Sequence, residues 1–195
     1  MAKYAIGIDY GSLSGRAVLM DVRDGRIIAT SSVPFPHGIK ETHLPDGTPL
    51  PPEYALQDPE DYVHVLIRTV RDVLRISGVS PSDIIGLGLD ATACTILPVD
   101  SAGNPLLRFG PEGYIKLWKH HGAAMYAEKL TEAARRVSPD LLARFGGHVS
   151  AESLFPKLWE VAERDPALYG AMYEYMEVAD WLVLKLTGTW NRNSC

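Results

Sequence analysis

Apolar residues along the chain come in short runs at first and in helical stripes later. Tyr4-Ala-Ile-Gly-Ile-Asp9 is short, apolar and partly β-branched, which predicts a buried strand. After a turn at Tyr10–Leu13, Arg16-Ala-Val-Leu-Met-Asp21 predicts a second strand. Asp24-Gly25 is a hairpin signal, so Arg26–Thr30 is expected as a third, antiparallel strand. Residues 34–52 are rich in Pro, Gly and His, a connection long enough to be an insertion or a functional loop. A helix follows, with Asp58 as N-cap, Pro59 in its first turn and Glu60 and Asp61 at the positive end of its dipole. Val63, Leu66, Ile67, Val70, Val73 and Leu74 form its expected apolar stripe, and Gly78 its stop. Ile84-Ile-Gly-Leu-Gly-Leu-Asp90 is apolar up to its final Asp and predicts a buried, central parallel strand. Thr95–Val99 predicts another, closed by a hairpin turn at Asp100–Asn104. Helices are expected over 115–136, 154–164, 166–176 and 178–186, the last stopped by Gly188. The order β-β-β-α-β-β followed by helices predicts an α/β domain with a mixed sheet.

Composition narrows the function classes. The 195 residues are 46% hydrophobic and 22% charged, an ordinary globular balance, and the net charge is −5. A mildly acidic chain is a poor nucleic-acid binder, since that task needs a basic face. A mononucleotide site needs only local donors and a metal. The two cysteines, Cys94 and Cys195, form neither a disulfide framework nor a zinc pattern, and fit a reducing, cytoplasmic setting. Met1–Tyr10 has no signal-peptide core, and no apolar stretch reaches the ~18 residues that span a bilayer.

The segment Asp9-Tyr-Gly-Ser-Leu-Ser-Gly-Arg16 carries the candidate chemistry. An Asp ending a buried strand is costly unless a charge or donors meet it, as a hydrated Mg²⁺ would. Gly11 permits a sharp turn, Ser12 and Ser14 bring hydroxyls beside backbone N–H groups, and Arg16 adds positive charge, together a nest for phosphate oxygens. The segment is neither a P-loop nor a dinucleotide fingerprint. The same residues also fit an ordinary hairpin built of turn formers. Asp90 ends its strand as Asp9 does. If the two strands are neighbours, both carboxylates meet at the carboxyl end of the sheet, where open α/β sheets bind ligands. Asp90 equally fits a cap or turn.

Asp9-x-Gly11-Ser12-x-Ser14-x-Arg16 together with Gly86-Leu-Gly-Leu-Asp90 resembles the FGGY carbohydrate kinases. Asp90-Ala-Thr-Ala-Cys-Thr-Ile-Leu-Pro-Val99, Leu117-Trp-Lys-His-His121, Phe155-Pro-Lys-Leu158 and Val178-Ala-Asp-Trp-Leu182 with Leu186-Thr-Gly188 are similar to the branch of that family acting on L-ribulose. The resemblance runs through essentially all of the chain. It implies a ribonuclease-H-like (actin-like ATPase) fold, with residues 1–195 as an N-terminal sugar-binding lobe and a nucleotide-binding C-terminal lobe elsewhere. It also implies ATP-dependent phosphorylation of L-ribulose to L-ribulose 5-phosphate in arabinose catabolism, with ATP and Mg²⁺ as cofactors.

By position, the resemblance implies that Asp9 places the metal and that Gly11, Ser12, Ser14 and Arg16 face the transferred phosphate. Ala93 would touch the sugar through its backbone, with Thr92, Trp118, Lys119 and His120 at the sugar pocket. Trp118 offers a ring face for sugar carbons, and Thr92, Thr95, Lys119 and His120 offer donors, although Trp118 also fits a core anchor. His121, and His37, His43, His64 and His148, read as surface or loop residues, and Asp180 and Trp181 as structural.

In the family a sugar-contacting Lys, the general base and the adenosine site come after the position of Cys195. The expectation is therefore a truncated, inactive piece whose full-length form takes a small ketopentose, with no nucleic-acid or membrane partner and a possible homo-oligomer. The alternatives are a kinase for xylulose, ribitol or D-ribulose, a non-catalytic sugar-binding or regulatory lobe, or an actin-like interaction domain.

Overall fold

The computed structural model describes residues 3–193. The expectations placed on Cys195 lie outside the described residues. The chain divides into two compact units. The first comprises Met1–Gly38, Asp58–Thr92 and Ala179–Cys195, and the second Ile39–Gln57 and Ala93–Val178.

The first unit holds a four-stranded sheet in the order β3-β2-β1-β5. Strands β1 (Tyr4–Tyr10), β2 (Ser14–Asp21) and β3 (Ile27–Pro34) form the expected antiparallel meander. Strand β5 (Ile84–Ala91) runs parallel to β1, so the sheet is mixed. Alternation sends Ile6, Ile8 and Tyr10 of β1 and Ala17 and Leu19 of β2 into the core, while Gly7, Asp9 and Arg16 stay exposed. Helix α1 (Pro59–Ser77) packs against β1, β2 and β3. It starts where expected, the Asp58 side chain accepting from the Glu60 N–H, and stops at Gly78 in the left-handed region.

Two expectations for this unit need correction. The buried face of α1 is Tyr62, Val65, Leu66, Thr69 and Val73, so the predicted stripe was rotated towards a flank and Ile67 is exposed. The Tyr62 ring, stacked against Tyr10 and tilted against Phe35, sets which face turns inward. Strand β5 is parallel as expected but neither central nor buried. Among the described residues it pairs only with β1, and Ile85 and Leu87 are exposed.

The second unit has an antiparallel sheet in the order β4-β7-β6-β8: β4 (Leu56–Gln57), β7 (Ile115–Lys116), β6 (Ile96–Val99) and β8 (Glu174–Glu177). Its helices are α2 (Ala124–Val137), α3 (Pro139–Arg144), α4 (Leu154–Arg164) and α5 (Pro166–Ala171). Its core gathers Ile96, Leu106, Val161, Leu168 and Tyr175, with a second cluster of Leu44, Tyr54 and Leu56. Helix α4 has the predicted bounds. The helix expected over 115–136 begins only at Ala124, because Ile115–Lys116 is drawn into the sheet. The helix expected over 166–176 ends at Ala171, because Glu174–Glu177 pairs with β6 along four register positions. The last helix, α6 (Val178–Thr187), ends at Gly188, with φ at +69°. No helix among the described residues is long and apolar enough to cross a membrane.

Candidate functional site

In the first unit, pairing lays Arg16, Asp9 and Asp90 in one row across β2, β1 and β5. Asp9 is opposite Arg16 on one side and opposite Asp90 on the other. The two strands ending in aspartate are therefore parallel neighbours. The Arg16 guanidinium lies 3.8 Å from the Asp9 carboxylate, and both side chains are more than half exposed. The exposed cation and two carboxylates share the sheet face away from the buried Ile8 and Tyr10.

The turn above this row is tight. Gly11 N–H donates to the Ser14 carbonyl at 3.0 Å, and a Cβ on Gly11 would stand 3.3 Å from the Arg16 guanidinium. Ser12 and Ser14 are half-buried in that turn. Thr92 also belongs to this unit, its N–H donating to the Tyr10 carbonyl at 3.2 Å. The arrangement offers an anion donors and one cation beside two carboxylates suited to a hard divalent metal.

The other sequence-predicted residues lie in the second unit. Ala93 is exposed, and Cys94, which follows it, has φ at +60°, the left-handed region that side chains disfavour. Trp118 is 37% exposed. Lys119 reaches the Glu41 carboxylate at 2.5 Å, which ties it to the segment after β3.

His120 is fully buried and both ring nitrogens are engaged. Nδ1 accepts from the Ala55 N–H at 3.3 Å, and Nε2 lies 2.8 Å from Glu160 Oε2. An acceptor at Nδ1 puts the ring proton on Nε2, aimed at the carboxylate. His121 is exposed, 3.6 Å from Glu152.

Sequence reasoning missed the polar network in which His120 sits. The buried Lys116 ammonium bridges Glu112 and Glu160, Arg164 lies 3.3 Å from the second Glu160 oxygen, and the Tyr54 hydroxyl donates to Glu112 at 2.5 Å. The buried Lys116 and the exposed Arg164 at the edge together offset two carboxylates around a neutral imidazole. Burial, aided by the Lys116 charge, pushes the His120 pKa down to about 4. Burial alone would raise Glu160, but the His120 hydrogen bond and the Lys116 charge together outweigh it and hold that group near 2. Gly122 is required here, since a Cβ would stand 2.7 Å from both Glu160 Oε1 and the Tyr54 ring.

Lys157 was missed as well. It is fully buried, and its ammonium donates to the carbonyls of Cys94 and Leu117, both at 2.7 Å. The available signal was its place on α4: Lys157 and Glu160 fall on the buried stripe with Pro156 and Val161. A cavity of about 510 Å³ between α2 and residues 148–152 is lined by His121, Glu128, Arg135 and His148, among others, and by none of the predicted sugar residues.

Residues 4–194 match the model of the FGGY family of carbohydrate kinases, N-terminal domain. Over 99% of its length the chain is 45% identical to a ribulokinase of Geobacillus thermodenitrificans, of which it covers 35%. A ribulokinase of Mycolicibacterium smegmatis is 40% identical over 98% of the chain, again 35% of the relative. The chain thus spans about a third of the length of these curated relatives. Among solved structures, a xylulose kinase of Rhodospirillum rubrum superposes with a TM-score of 0.76 at 21% identity, over 95% of this chain and 34% of that one. A gluconate kinase of Lactobacillus acidophilus superposes at 0.74 and 17% identity, over 97% and 34%. At these identities the solved structures share the fold, the α/β actin-like ATPase fold of sugar kinases.

Proposed function

Since the chain belongs to the FGGY family of carbohydrate kinases, we propose that it forms the sugar-binding N-terminal part of an ATP-dependent kinase converting L-ribulose to L-ribulose 5-phosphate. The observation that carries this reading is the row Arg16–Asp9–Asp90, set beneath the Gly11–Ser14 turn. The choice of L-ribulose rests on 40–45% identity to ribulokinases over nearly the whole chain. The nucleotide site and the general base are assigned to the two thirds of the relatives' length that this chain does not span.

Two exposed, neighbouring carboxylates suit Mg²⁺, which takes one or two carboxylates and keeps waters and phosphate oxygens as its other ligands. Asp9, with Asp90 beside it, would hold that ion, which supplies charge neutralisation on the transferring phosphoryl group. Arg16 and the hydroxyl groups of Ser12 and Ser14 orient the phosphoryl oxygens, while Gly11, its N–H donated to the Ser14 carbonyl, shapes the turn that lets the phosphate approach. In the second unit Trp118 offers its ring to the sugar carbons, and the Ala93 backbone meets a sugar hydroxyl. His120, with both nitrogens engaged, acts by holding the Leu117–His120 segment in place rather than by touching sugar. Lys119 is shared between Glu41 and the sugar side.

The test is formation of L-ribulose 5-phosphate by the complete product of the gene encoding this segment, compared with its Asp9→Asn variant. The reading predicts L-ribulose- and ATP-dependent turnover. In the variant kcat falls by about 100-fold or more, while the KM for L-ribulose changes little. Turnover of Asp9→Asn at the parent rate would overturn the role given to the row.

A further inference from the structure

We propose that Lys157 is a positioning residue whose buried ammonium clamps the Cys94 carbonyl to the Leu117 carbonyl, fixing the two loops assigned to the sugar. The inference rests on the reading above for what those loops bind, and on geometry alone for the clamp.

Three observations meet at this point. Cys94 holds a left-handed backbone without being glycine, a conformation that persists only where its surroundings impose it. Lys157 reaches the carbonyl of that residue at 2.7 Å from the buried face of α4. The same ammonium reaches, also at 2.7 Å, the carbonyl of Leu117, which immediately precedes Trp118. The N–H of Leu117 is already donated to the Ala55 carbonyl at 3.0 Å, and the Thr95 carbonyl accepts from the Val178 N–H at 2.8 Å. Each loop is thus tied at one point to a residue flanking the sheet, Ala55 just before β4 or Val178 just after β8, and the two are joined to each other through Lys157.

A lysine that only filled space would leave its ammonium unsatisfied or send it to solvent. This one is aimed at two backbone acceptors in segments 23 residues apart in sequence, Cys94 and Leu117. Burial lowers its pKa to about 8, which leaves it mostly protonated at neutral pH, when it has all three donors. Removing the ammonium takes the Lys157 donor from the Cys94 carbonyl, leaves the Leu117 carbonyl with the His120 N–H at 3.0 Å, breaks the link between the two and lets Cys94 relax out of the left-handed region. The Ala93 backbone and the Trp118 ring then lose their fixed spacing.

The experiment uses the complete gene product with Lys157→Met, which keeps length and loses the donors. The control is Val161→Ala, which weakens the same helix in the apolar core. Two readouts are taken: kinetic constants for L-ribulose and ATP, and the rate of Cys94 alkylation by iodoacetamide followed by peptide mass spectrometry. Lys157→Met is expected to raise the KM for L-ribulose at least tenfold with the KM for ATP within about twofold, and to speed Cys94 alkylation at least fivefold. Val161→Ala is expected to leave both near the parent values.

Adding Cys94→Gly to Lys157→Met, so that glycine adopts the turn unaided, is expected to recover most of the lost sugar affinity. If Lys157→Met fails to fold, Lys157→Gln, which retains a donor, takes its place with the same expected direction. Cys94 alkylation and sugar KM no different from those of Val161→Ala would overturn the clamp. A parent that does not phosphorylate L-ribulose, together with faster Cys94 alkylation in Lys157→Met, would overturn the substrate assignment and support the clamp.

Discussion

At the scale of single residues, the strongest constraints are steric and electrostatic. A Cβ on Gly15 would stand 2.4 Å from Val65 Cγ1 and 3.3 Å from the Tyr10 ring. Neither partner can yield, because both lie in the packed layer between β1 and α1. Gly15→Ala is expected to cost about 1–3 kcal/mol in urea denaturation, and Val65→Ala in the same chain to recover part of that loss. An additive, uncoupled pair would contradict the contact.

The His120–Glu160–Lys116 network makes a pH prediction. The folded His120 pKa, about 4, lies below its ordinary 6.5, so as pH falls the unfolded chain takes up this proton first. Stability should therefore fall from about pH 6.5 towards 4, and Glu160, at about 2 instead of 4.5, adds a second loss below pH 4.5. Calorimetry across that range should show the melting temperature dropping, with a flatter profile between pH 4 and 6.5 in His120→Gln. A wild-type profile already flat there would contradict the buried neutral imidazole. None of this could be read from Lys-His-His in the sequence, where a buried and an exposed imidazole look alike. Only the pairing of β7 and the register of α4 bring Lys116 and Glu160 together.

Elements were legible where local chemistry decides them. Asp58, Pro59 and Gly78 mark α1 through groups that satisfy the helix ends by themselves, and Asp58→Ala is expected to lower stability by about 1 kcal/mol, measured by chemical denaturation. The meander was equally readable, because Asp24-Gly25 fixes the second turn and Gly25 adopts φ at +73°. The misread stretches are 115–123 and 172–176, whose composition allows a helix. Long-range pairing overrode it: Lys116 faces Leu56 and Ile96, and Met176 faces Leu97. A two-residue strand has too few positions to display a period. On α4 the bounds were right, but two of the residues on its buried face carry charge, so the apolar pattern did not reveal what that face holds.

At the scale of the whole molecule, the residues expected to face phosphate and those expected to face sugar fall in different compact units, with Thr92 at the end of a first-unit segment and Ala93 at the start of a second-unit one. The pairing of Asp9 with Asp90 was foreseeable from two apolar strands that both end in aspartate. The clamp through Lys157 was not, because its two acceptors are backbone atoms that no side-chain motif announces. The central claim is that this fold serves an L-ribulose kinase. Its most direct test is kcat/KM of the complete gene product for L-ribulose, D-ribulose, D-xylulose and ribitol under one set of MgATP conditions. The account predicts the highest value for L-ribulose, by about tenfold or more over D-xylulose. A higher value for any of the other three would contradict it.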